Sequence, residues 1–369
     1  MGTQLMHDYY LSTEIDHQIF TQISALAAQT DQKNIWPAEQ LEILKQSGVF
    51  AWDLPKEFGG TPCHSTQYTK LYLDLSVACL STAFVLSQRN AAVQRIGTCD
   101  NRELKQMYLP SLAAGTIWAT VGISHLSTSR QHLSKPSVTA EETDTGYLLD
   151  GFVPWVTGVK HTDLLVTGGT LPDGRQLLTT AACPNNNIEF GEVADMLSLT
   201  SSSTGNLKLQ GLEISADDVI AGPVEQVMKS GGGGTGSLTT SVITTGVARR
   251  AVLGLAEEAE KRPELKSEAN QMQAECQQLV DDLLKLEENP GCDDIKLTPQ
   301  SLRTRANSLV LRAAQAYLTA TKGSGFLKGH PAERTIREAM FFLVWSCPAA
   351  VAQSAMKEFA CSPTFLVES

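Results

Sequence analysis

A chain of 369 residues, 42% hydrophobic and 19% charged, carries enough apolar material for two or three structural units around a large core, which excludes a disordered polymer. Its formal charge of −11 excludes a broad phosphate-binding surface, because nucleic acid or an anionic membrane calls for clustered Lys and Arg. The 8 cysteines form no CxxC pair, so neither a zinc site nor a disulfide framework is indicated. With no apolar run of about eighteen residues and no basic-then-apolar leader, the expectation is a cytoplasmic protein with no membrane or nucleic-acid partner.

From about residue 12 to 118 apolar residues recur at three- and four-residue spacing, as in Leu41, Leu44 and Val49, which predicts several helices. Breaks are expected at Pro37, at Gly59-Gly60-Thr61-Pro62, at Gly97 and at Pro110. Between about 119 and 230 the texture changes to Thr, Val, Gly and Ser. Short alternating runs and turn signals at Asp150-Gly151 and Pro172-Asp173-Gly174 predict a β domain there. The run Ser230 to Gly236 reads as a hinge or mobile loop, for it lacks the Lys-Ser/Thr of a phosphate-cradling loop. Beyond Leu238 the pattern is helical again, with breaks near Asn289-Pro290-Gly291 and from Gly323 to Pro331. The expected division is therefore an α-helical domain over 1–118, a β domain over 119–230 and an α-helical domain over 231–369.

Within the β region, Trp155 and Thr157 stand two residues apart, and strand alternation puts them on one face. An indole beside a hydroxyl suits an isoalloxazine ring, which needs an aromatic surface and a hydrogen-bond donor near its nitrogens. A Trp that only fills a core, its N–H paired, is the competing reading.

Several local motifs fall in line along nearly the whole chain. They are Pro55-Lys56-Glu57-Phe58-Gly59-Gly60, Asn101 to Pro110 followed by Leu112-Ala113-Ala114-Gly115, Trp155-Val156-Thr157 ahead of Thr162-Asp163-Leu164-Leu165-Val166, and Leu212 to Gly222. Last come Gly323-Ser324-Gly325-Phe326, Glu333-Arg334 and Arg337-Glu338-Ala339. Together they resemble the acyl-CoA dehydrogenase family of flavoproteins. The resemblance implies an α+β fold with an N-terminal helical domain, a middle β-barrel or sandwich and a C-terminal four-helix bundle. It also implies a homo-oligomer, dimer or tetramer, that binds FAD between the β domain and the C-terminal helices, completed by a neighbouring subunit, and acts on an acyl-CoA or similar small molecule.

Carried over residue by residue, the resemblance implies that Trp155 backs the isoalloxazine, Thr157 bonds near its N5, and Ser124 supplies a hydroxyl where the family has Thr. Val121 falls at a flavin contact. Gly323 and Gly325 either let backbone approach the pyrophosphate or simply cap a helix and turn. Ser129 or Arg130 is the phosphate contact in a loop that lacks the family's Pro and Gly, and Arg262 is what survives of its phosphate and adenine clasp. Ser346 stands where many members carry a catalytic Glu, and Thr239 and Thr240 occupy the other usual base position. Neither position carries a carboxylate, so ordinary α,β-dehydrogenation is expected to be slow, while the Ser346 backbone N–H remains to polarise a thioester carbonyl. Among other candidates, Glu338 reads as a structural ion-pair partner, His125 and His330 as loop residues and Cys347 as a structural thiol. Three functions are weighed: an FAD-dependent oxidoreductase of this family, a flavin-dependent monooxygenase of the same superfamily, and a non-catalytic flavin- or acyl-binding protein.

Overall fold

A computed structural model describes residues 10–12, 14–52, 54–126, 135–229 and 238–360. The chain divides into two compact units, Met1–Thr235 and Gly236–Ser369.

The first unit begins with helices whose ends are set by side chains. In α1 (His17–Lys33) the Asp16 carboxylate accepts from the Gln18 N–H at 2.9 Å, and Phe20, Ile23 and Ala27 are buried along one stripe. Helix α2 (Ala38–Gln46) follows Pro37, an expected break. Helix α3 (Ser65–Ala78) starts with a capping box between His64 and Gln67. The next helix, α4 (Leu80–Thr98), is buried nearly all round, so it forms the centre of the helical layer. Gly97 lies inside it, and the expected break comes only after Thr98. Pro110 likewise does not end α5 (Arg102–Ala114). Leu109 and Leu112 on either side of it are wholly buried, and their packing carries the helix past one missing hydrogen bond to Gly115, which closes it in the left-handed conformation.

Among the described residues eight strands follow: β1 (Ala119–Val121), β2 (Val138–Thr143), β3 (Gly146–Val156), β4 (Leu164–Thr170), β5 (Gln176–Ala182), β6 (Ile188–Val193), β7 (Gly205–Ser215) and β8 (Val219–Val224). They form one mixed sheet in the order β6-β7-β3-β2-β4-β5-β8, with β1 pairing parallel to β4. Strand β4 is buried on both faces. Leu164 and Val166 of β4 join Leu109, Leu112 and Ile96 in one core, while Leu165 between them joins Val153, Leu177 and Leu207 in another.

The second unit is helical: α6 (Leu238–Lys261), α7 (Lys266–Glu288), α8 (Pro299–Thr321), α9 (Pro331–Phe341) and α10 (Ala349–Ala360). Thr298 caps α8 and His330 caps α9, each followed by Pro at the first helical position, where its missing N–H costs nothing. Gly254 of α6 lies so close to the ring of Tyr317 on α8 that a methyl group there would overlap it. Across the same bundle Arg250 of α6 donates to Glu338 of α9 in a buried ion pair and, through Nε, to the Thr335 hydroxyl at 3.0 Å. Glu338 is thus a structural partner, as its sequence position suggested. The architecture is α+β: N-terminal helices, a middle mixed sheet and C-terminal helices.

Candidate functional site

In the first unit, the sequence-predicted residues gather where β1, the end of β3 and the segment before β7 meet. Strand β3 ends at Val156, so Thr157 lies one residue beyond it and the alternation expected to pair it with Trp155 stops short. The two side chains part accordingly: Trp155 is 51% exposed, whereas Thr157 is 5% exposed. What holds Thr157 is a set of hydroxyls. The Thr120 hydroxyl donates to the Thr157 carbonyl at 2.8 Å, and the Thr157 hydroxyl meets that of Thr204 at 3.1 Å. Thr204 meets the Ser202 hydroxyl at 2.7 Å. The Gly158 N–H donates to the Ser202 carbonyl and the Val159 N–H to that of Ser203, each at 2.9 Å.

Val121 is buried in the core shared by helices and sheet, and Ser124 begins a short 3-10 turn, Ser124–Leu126. His125 is buried in that turn with Nε2 bonded to the Gly168 carbonyl at 2.9 Å, so it ties the turn to β4. Ser129 and Arg130, and the Gly-rich run 231–236, lie outside the described residues.

A flavin ring finds a suitable donor set here. An exposed large aromatic on an otherwise buried stretch of strand offers a plate, and a tethered hydroxyl stands two residues on. These residues therefore fit the isoalloxazine half of FAD.

The second unit holds the remaining candidates. Arg262 donates to Glu258 at 3.1 Å and to the Ala320 carbonyl, so its guanidinium already ties the end of α6 to α8. Gly323 has open space around it. Gly325 instead abuts the Thr321 side chain, where any Cβ would overlap the hydroxyl, and that packing alone accounts for a glycine. His330 accepts from the Ala332 N–H at 3.1 Å through Nδ1, which occupies it as a helix cap. Thr240 lies buried in the first turn of α6.

Ser346 is exposed, in the turn between α9 and α10, with φ of +45°, a left-handed backbone that non-glycine residues adopt only when held. The holding groups come from α8. Arg303 donates to the Trp345 carbonyl at 2.9 Å, and Asn307 donates to that of Phe342 at 3.0 Å. Burial lowers the Arg303 pKa to about 10, and burial raises that of the neighbouring Cys347 thiol, an effect the Arg303 charge partly offsets.

Sequence reasoning passed over Ser202, Thr204, Arg303 and Asn307. The run Ser201-Ser202-Ser203-Thr204 read only as β-domain texture, although four hydroxyls in a row ahead of a strand are a usable signal. For Arg303 and Asn307 helical periodicity left no mark, since both are polar residues turned inward.

Residues 14–116 match the family profile described as acyl-CoA dehydrogenase, N-terminal domain. The short-chain specific acyl-CoA dehydrogenase of Bos taurus mitochondria is 23% identical over 377 residues, covering 92% of this chain and 89% of that protein. Among solved structures, butyryl-CoA dehydrogenase from Megasphaera elsdenii is similar with a TM-score of 0.80 at 15% identity, covering 95% of this chain and 99% of that one. A dibenzothiophene monooxygenase from Paenibacillus shares the fold with a TM-score of 0.75 at 14% identity, covering 92% and 94%.

Proposed function

This chain is a divergent member of the acyl-CoA dehydrogenase family, and on that premise we propose that it is an FAD-dependent oxidoreductase taking hydride from an acyl thioester or related substrate. The observation that carries the flavin assignment is the half-exposed Trp155 two residues before the tethered Thr157 hydroxyl. In this reading the indole supports the ring and the hydroxyl offers a hydrogen bond to it, with Ser124 and Val121 adjoining. Bound FAD supplies the two-electron acceptor. Gly323 and Gly325 remain proposed neighbours of the cofactor. Arg262 is proposed to act on it only if its bonds to Glu258 and Ala320 are exchanged.

Ser346 sets the rate in this proposal. A positioned general base is worth about 10² to 10⁴ in rate, and a lone serine hydroxyl does not remove an α-proton near neutral pH. Slow α,β-dehydrogenation follows. The same residue favours a second reading, a flavin-dependent monooxygenase, because that chemistry needs no α-proton base, and the likeness to dibenzothiophene monooxygenase shows that the fold is shared with such an enzyme. A non-catalytic flavin- or acyl-binding role is the third outcome. We further propose three domains divided near residues 118 and 230, a cytoplasmic location and a homo-oligomer. Among the described residues no helix is long and apolar enough to cross a membrane.

The test is the visible spectrum of the purified chain reconstituted with FAD, followed by anaerobic titration with acyl-CoAs of graded length. Bleaching of the flavin band supports the dehydrogenase. A flavin that stays oxidised with every acyl-CoA but turns over with a reductant and oxygen supports the monooxygenase, and no flavin uptake removes both.

A further inference from the structure

We propose that Ser202 and Thr204 are positioning residues that orient the Thr157 hydroxyl as a donor toward the flavin, through a one-way chain of three hydroxyls. The inference rests on the flavin reading above and adds to it two residues and a direction.

Each hydroxyl owns one proton and can accept from two others. The order in space is Ser202, Thr204, Thr157, with oxygen separations of 2.7 and 3.1 Å. All three residues are buried, Ser202 completely. Among the described residues the Ser202 hydroxyl has Thr204 as its one partner, and the Thr157 hydroxyl likewise has Thr204 as its one partner.

Three orientations of the chain are conceivable, each leaving one proton over, on Ser202, on Thr204 or on Thr157, and a flavin acceptor at Thr157 makes them unequal. If Thr157 donates to Thr204 and Thr204 to Ser202, the Ser202 proton is left in a dry interior with no acceptor, which is unfavourable, and the same holds for the Thr204 proton if both ends donate to it. If Ser202 donates to Thr204 and Thr204 to Thr157, every internal bond is kept and the proton left over is that of Thr157. Chains of this kind polarise along their length, so Thr157 becomes a better donor than an isolated threonine. The ring nitrogen N5 of oxidised flavin is an acceptor, and it is the complementary group.

The backbone supports the same reading. Leu199 and Ser203, which bracket the 3-10 turn Thr200–Ser202, both have positive φ, at +66° and +51°. Neither is glycine. Such strained conformations persist where surrounding contacts over-determine them, and they cluster at ligand sites. Here the contacts are the bonds from Gly158 and Val159 to the Ser202 and Ser203 carbonyls, which clamp the turn directly behind Thr157.

The experiment uses the full chain, with FAD affinity read by quenching of flavin fluorescence and ring environment by the visible spectrum. Thr204→Val keeps the shape and removes the relay. It is expected to weaken FAD binding by about threefold to tenfold, in line with one lost hydrogen bond, and to shift the visible band, while Thr204→Ser retains wild-type behaviour. In a Thr157→Val background, Thr204→Val is expected to add nothing, because it acts through the hydroxyl already removed. Ser202→Ala, a smaller change at the far end, should shift the band in the same sense and serves if Thr204→Val does not fold. Wild-type affinity and spectrum in folded Thr204→Val, or full additivity with Thr157→Val, would overturn the relay while leaving the flavin site standing. No FAD uptake by the wild-type chain would overturn both.

Discussion

At Ser346 the backbone is already left-handed, with φ of +45°, and the carbonyls before it are held by Arg303 and Asn307. A carboxylate placed there inherits that geometry. Ser346→Glu is therefore expected to raise α-proton exchange of a bound acyl-CoA by about a hundredfold, followed by NMR in deuterated water, which is the low end of what a positioned base supplies. No change in exchange in a folded, flavin-loaded variant would remove Ser346 from the base position. A second residue-scale effect concerns Cys276, buried on α7, whose thiol is pushed from 9.0 up to about 12 by burial. A folded-state pKa raised above the unfolded value means stability present below pH ~9 and lost as pH rises toward 12. Compared with Cys276→Ala, the wild-type chain should lose about 1 kcal/mol of its advantage between pH 9 and pH 10 in urea denaturation, since the unfolded thiol is already half ionised at pH 9. A pH-independent difference between the two would show that the thiol ionises alike in both states.

Among the elements, α6 and α8 are tied by contacts that leave little room for change. Gly254→Val places two methyl groups and a Cβ against the Tyr317 ring, and overpacking of this kind costs about 1 to 3 kcal/mol. Thermal melting should show a lower midpoint; an unchanged midpoint would mean the two helices separate freely. The Arg250–Glu338 pair is a larger liability. Both side chains are nearly fully buried, so Glu338→Ala leaves a guanidinium without its counter-charge at a cost of about 3 to 5 kcal/mol, whereas replacing both by apolar residues should recover much of it. Several helix starts carry local signals that apolar spacing alone did not use. Asp16, Asn101 and Thr298 sit immediately before the helices they cap. Pro110 was misleading because a local rule met a non-local gain: the burial of Leu109 and Leu112 outweighs the break.

For the molecule as a whole, the order of helices, mixed sheet and helices is the fold shared with butyryl-CoA dehydrogenase, and the proposed assembly can be checked directly. Sedimentation equilibrium of the FAD-loaded chain is expected to give a mass of two or four chains with one flavin each; a monomer at micromolar concentration would remove the oligomer from the proposal. The amino-acid sequence determined by itself the class of fold, because apolar period changes near residues 119 and 238 are local and repeat over many residues. It also determined the Trp155-Val156-Thr157 motif and the absence of a carboxylate at residue 346, which are matters of composition at a point. Only tertiary structure decided what those residues touch. Thr204 reaches Thr157 across 47 positions, and Arg303 reaches the Trp345 carbonyl across 42, through bonds between polar groups that burial has cut off from water. Such pairings leave no periodic trace, since a buried hydroxyl or guanidinium is chosen for one partner and not for a face.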